Sequence, residues 1–93
     1  MKTRNEIIKD LEDRLFLLNF MIADEMDWDE KFGQISALES CIEKHKEGWT
    51  LEQFKEHLEK HKSENMYGDY IDGFMSVLKR NVREMEGELV GSE

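Results

Sequence analysis

Proline is absent from this chain, cysteine occurs once, and basic residues are outnumbered by acids, 13 to 22. Each shortage excludes something. Without proline nothing forces a helix to break, and the common residues Glu, Lys, Leu and Met are good helix formers. The lone Cys41 cannot close an internal disulfide, so a reducing compartment is expected: the cytoplasm, or a host's cytoplasm if the chain is phage-encoded. A net charge of −9 opposes sequence-independent binding to nucleic acid or to an anionic membrane, since both need a basic surface. Long apolar runs are missing too. The longest, "LFLLNFMIA" over 15–23, contains Asn19 and is too short to cross a bilayer. The opening "MKTRNEIIKDLED" sets no apolar segment beside its basic residues and does not read as a signal peptide.

Catalytic signatures are equally scarce. There is no GxSxG, P-loop, dinucleotide fingerprint or HExxH. "HLEKH" places its glutamate one position too late to serve as a zincin base. A calcium loop begun at Asp27 would need glycine where Phe32 stands and glutamate where Leu38 stands. Acids are too frequent for any pair of them to signal catalysis. The expectation is a non-enzymatic protein without a cofactor.

What the sequence does contain is helical patterning. With 93 residues and 39% hydrophobic content, one domain with one modest core is expected. Helices are predicted at about 4–23, 28–47, 51–62 and 65–86, with 87–93 as a tail. The fold class is all-α: a compact antiparallel bundle made of a helical hairpin, a short helix and a long C-terminal amphipathic helix.

Thr3 and Glu6 have the spacing of a capping box. Ile8, Leu11, Leu15, Leu18 and Ile22 then recur at helical spacing, while Phe16, Leu17, Phe20 and Met21 cover most of the remaining circumference. A helix apolar on nearly all sides has to be buried on nearly all sides. Three neighbours in so small a domain do not readily cover it, so a homodimer or larger homo-oligomer is expected, with Phe16 and Phe20 near the interface.

Asp27 and Glu30 signal the next start, with Ser36 and Glu39 as a rival. Trp28, Phe32, Ile35, Leu38 and Ile42 form the predicted stripe of helix two, and Gly33 lies inside it at a cost of about 1 kcal/mol relative to alanine. The segment "EKHK" occurs twice, at 43–46 and 59–62. Each copy falls in a predicted last turn, where positive charge offsets the partial negative charge of unpaired carbonyls. The first precedes Gly48, a good left-handed stop residue. Thr50 with Gln53 is another capping box, and Trp49 with Phe54 has the spacing of a hydrophobic staple. The repeat reads as helix punctuation. In helix four the apolar stripe runs from Met66 to Met85, and Gly73 falls on the polar side. Asn81 interrupts the stripe and is expected at its edge, partly exposed; a surrounded Asn would instead fix register.

Three sites compete. Cys41, His45, His57 and His61 are all residue types that bind zinc. If the predicted second and third helices form a hairpin, His61 falls about one turn, roughly 5.4 Å, beyond the rest. No metal site is therefore expected. A ligand pocket of an oligomer, taking a small molecule such as a nucleotide signal, would draw on Trp49, Tyr67, Tyr70 and the histidines. Finally, Asp24, Glu25, Asp27, Asp29 and Glu30 crowd acids into residues 24–30, with Trp28 among them. That stretch suits either a solvated helix start or an epitope for a basic protein surface, aromatics anchoring and charges steering. The favoured function is a small acidic protein-interaction module. One form is an inhibitor that occupies the basic, nucleic-acid-binding surface of a target, as some phage-encoded antagonists do. The alternatives are the ligand-binding oligomer and a structural subunit of a larger assembly.

Overall fold

The computed structural model describes residues 3–20, 28–64 and 67–87. They form four helices: α1 (Arg4–Phe20), α2 (Trp28–Lys46), α3 (Leu51–Ser63) and α4 (Asp69–Glu86). The fold is an all-α four-helix bundle. Among the described residues no helix is long and apolar enough to cross a membrane.

The local signals operate as their chemistry dictates. At the start of α1 the Glu6 amide donates to Thr3 Oγ1 at 3.2 Å, and the Thr3 amide donates to Glu6 Oε1 at 2.8 Å. Thr50 and Gln53 repeat the arrangement at α3, at 3.2 and 2.8 Å. The Trp49 and Phe54 rings pack 5.3 Å apart across that start, closing the staple. After α2, Gly48 takes φ of +89°. The Trp49 amide then reaches the Lys44 carbonyl and the Gly48 amide the His45 carbonyl, both at 3.1 Å. Those two bonds make a Schellman stop, which needs a residue free to turn left-handed.

Helix two begins at Trp28 as expected, which decides against the rival Ser36 start, and one boundary differs. Helix four begins at Asp69, because Gly68 at φ +117° lies outside helical space. Positions 21–23, predicted to end helix one, lie outside the described residues, as do Asn65, Met66 and the tail from 88 onward.

Consecutive helices alternate in direction, so α2 and α4 run the same way, and that pair makes the most extensive contact. α1 packs on the outside of α2, and α3 packs mainly on α4. Two glycines permit the central contact. A Cβ on Gly33 would run into the Tyr70 carbonyl oxygen and lie 3.1 Å from the Phe74 amide nitrogen. A Cβ on Gly73 would run into the Glu30 carbonyl oxygen. The two backbones meet where neither has a side chain. Gly33 and Gly73 are thus buried, which corrects the placing of Gly73 on the polar side.

The same contact sets the rotation of α2. Its buried face carries Gly33, Ala37, Leu38, Cys41, Ile42 and His45, while Trp28 and Phe32 are 62% and 52% exposed. Their predicted place on the core stripe is not observed. Small residues let α4 approach on one side of α2, and the two aromatic rings, too bulky for that seam, turn outward. Leu11, Leu38, Val77, Leu78 and Phe54 complete the core with Ile7 from α1.

Candidate functional site

Five of the exposed large apolar side chains among the described residues lie where α1 finishes and α2 begins. Phe16, Leu17 and Phe20 on α1 are 60%, 52% and 72% exposed, and Trp28 and Phe32 lie on the first turns of α2. Each aromatic pair is spaced i, i+4, which stacks side chains on one helix face. The Phe16 and Phe20 rings are 4.6 Å apart, and those of Trp28 and Phe32 5.9 Å. The Lys31 ammonium sits 4.7 Å above the Trp28 ring and leaves that indole otherwise accessible. Of the predicted acidic epitope, Asp29 is exposed and Glu30 half-buried beside Trp28. Asp24, Glu25 and Asp27 lie outside the described residues. Glu30 also has a structural duty, since its carbonyl faces Gly73.

The residues of the predicted ligand pocket are spread along the α3–α4 face. Trp49 and His57 border an open cavity of about 320 Å3 with Gln53, Glu56 and Lys60. A run of ring contacts leads away from it: Trp49 to His57 at 5.7 Å, His57 to His61 at 4.5 Å, His61 to Phe74 at 5.2 Å, and Phe74 to Tyr70 at 6.3 Å. Tyr70 stands at the far end, its hydroxyl donating to Ser36 Oγ at 2.8 Å. Tyr67 is 89% exposed just before α4. Trp49 and the tyrosines therefore bracket a ring ladder and do not share one cavity. Burial, then the neighbouring His61 and lysines, hold His57 below the usual histidine pKa, with Glu64 opposing.

A polar cluster in the core was not foreseen. His45 is 1% exposed and Asn81 0%. His45 Nε2 lies 2.7 Å from Asn81 Oδ1, and Nδ1 lies 3.3 Å from the Arg4 guanidinium. A neutral imidazole protonated on Nε2 satisfies both contacts, donating to Asn81 and accepting from Arg4. Arg4 also donates to the His45 carbonyl at 3.1 Å and the Trp49 carbonyl at 2.7 Å, clamping the end of α2. Burial lowers the His45 pKa first, and the Arg4 cation adds to this; the Asn81 bond and Glu84 act the other way. His45 lies in the last turn of α2 as expected but is enclosed, and Asn81 is enclosed instead of partly exposed, which corrects its expected place. The one sequence signal was the Asn within an apolar stripe.

Cys41 is fully buried as well, and burial pushes its thiol up to about 12. It is a neutral core side chain near pH 7, neither a ready nucleophile nor a thiolate ligand. Among the described residues no three His, Cys, Asp or Glu side chains converge as a metal site would require.

No protein-family model, curated protein or solved structure matches the chain.

Proposed function

We propose that this protein acts by binding another protein through the apolar, acid-flanked end of the bundle. The observation that carries this reading is the exposure of Phe16, Leu17, Phe20, Trp28 and Phe32 at that one end. Single exposed apolar residues are ordinary, but a concentration of large ones on adjoining helix ends is the usual mark of an interaction surface. Aromatic rings held in i, i+4 pairs lose little conformational freedom on docking and make good anchors.

The acids select the partner. Asp29 and Glu30, with Asp24, Glu25 and Asp27 preceding them in sequence, favour a target whose own surface is basic. A nucleic-acid-binding face of another protein has that character. A second copy of this chain fits the acidic part poorly, because a two-fold contact sets like patches against each other. Phe16 and Phe20, farther from the acids in sequence, remain compatible with self-association.

The test compares wild type with Phe16→Ser/Phe20→Ser and with Trp28→Ser in capture from cell extract, followed by light scattering. A basic protein held by wild type, released by salt and lost in the variants supports the reading. Equal capture by all three, or a stable dimer that the Phe variants dissociate, would replace it with non-specific binding or self-association respectively.

A further inference from the structure

The chain is strongly acidic, yet three of its arginines meet in one place. Arg14 of α1 and Arg80 and Arg83 of α4 line a groove of about 670 Å3, closed by Gln34 of α2, Ser76 and Leu18. Arg80 and Arg83 are exposed along the rim. Arg14 is half-buried, and its Nη1 has neither solvent nor a hydrogen-bond partner. The buried Glu84 carboxylate lies 3.7 Å from Arg80 Nε. Burial and the Arg80 cation both press against the charge on Arg14, with Glu84 and Asp10 partly compensating. Arginine does not give up its proton in proteins, so the charge stays in place and an added anion would offset its desolvation further.

We propose that this groove binds a small phosphorylated organic molecule. Guanidinium forks match phosphate oxygens in bidentate fashion, and three of them from two helices can grip more than one phosphate oxygen at once. The groove volume falls within the range of small-molecule sites. Gln34 adds a neutral hydrogen-bonding group, whereas the Ser76 hydroxyl already donates to the Gly73 carbonyl at 2.8 Å, and the leucine wall suits the organic part. A polymeric anion fits badly. Beyond roughly 8 Å, the Debye length at physiological salt, it would face a chain of net charge −9.

Two probes separate charge from organic recognition: inorganic pyrophosphate and adenosine triphosphate, each in magnesium-free buffer against sodium chloride of equal ionic strength. Adenosine triphosphate should raise the melting temperature by about 5 °C or more at ten times its Kd, beyond the chloride control. It should bind more tightly than pyrophosphate in calorimetry. Arg83→Gln, at an exposed rim position, should keep the wild-type circular dichroism spectrum and bind at least about tenfold more weakly. Arg80→Gln serves less well, because it strips Glu84 of a charge partner. Absence of any shift up to 10 mM of either probe, or unchanged affinity in Arg83→Gln, overturns the proposal. Equal affinity for the two probes overturns it as a site for an organic phosphate.

Discussion

The two "EKHK" segments are identical in sequence and end α2 and α3, yet their histidines have different fates. His45 is enclosed, held between Asn81 of α4 and Arg4 of α1. His61 stays at the surface, its side chain 25% exposed, 3.4 Å from Glu64 and packed on the rings of His57 and Phe74. The lysines of both copies lie in the last helical turn, where the dipole favours them. What separates the histidines is the number of neighbours. α2 is packed by α1 on one side and α4 on the other, whereas α3 packs mainly on α4. Identical tetrapeptides therefore become a core polar node and a surface contact.

The strongest way to break this contrast is to part α2 from α4. Gly33→Ala puts a methyl group against the Tyr70 carbonyl, a backbone atom with no room to retreat. The expected loss is about 3 kcal/mol or more, even after alanine's helix-propensity gain of about 1 kcal/mol. The His45 pKa should also rise toward its ordinary value as water reaches the ring. Urea denaturation and a proton NMR titration read both quantities; an unchanged midpoint would mean that the glycine contact does not hold the seam closed.

A direct comparison of the histidines should give the next largest effect. His45→Ala removes a ring packed 4.7 Å from Phe54 and leaves the enclosed Asn81 without its partner. The cost should be about 2–4 kcal/mol. His61→Ala removes a partly exposed contact and should cost less than about 1 kcal/mol. Equal losses in chemical denaturation would erase the distinction.

The gentlest probe is pH. The folded protein holds His45 and His57 below the ordinary histidine pKa of 6.5, so it resists a proton that the unfolded chain accepts. Unfolding then takes up protons, and stability falls as pH drops through 6.5 toward the folded pKa values, with the full contribution restored above 6.5. His45→Gln should flatten this slope in part, with the remainder from His57. Denaturation midpoints measured between pH 7.5 and 5 check the sign; a wild-type midpoint that rises on acidification contradicts the burial of both rings in neutral form.

Much of the architecture was readable along the chain. Both foreseen capping boxes, the Trp49–Phe54 staple and the Gly48 stop depend on residues within six positions of one another, and each is present. The excess of apolar surface on α1 was legible for the same reason, since Phe16, Leu17 and Phe20 share a helix with Ile7 and Leu11, which take the core. The candidate site was only half legible. Trp28 was marked as notable, but its stripe was assigned to the core, and nothing along the chain joins Arg14 to Arg80 and Arg83.

The sequence by itself determined four helices, where most of them begin and stop, and an acidic surface. These follow from backbone hydrogen bonding, capping and composition, which act over one or two turns. Tertiary structure alone decided that Gly33 and Gly73 face inward while Trp28 and Phe32 turn outward. The 3.6-residue period fixes angles within a helix, but the rotation of one helix against another depends on where both can approach closely, and here Gly33 and Gly73 supply that place. From that single contact follow the outward turn of Trp28 and Phe32 and the meeting of His45 with Asn81. The gathering of three arginines around one groove likewise depends on how α1 and α4 sit on α2.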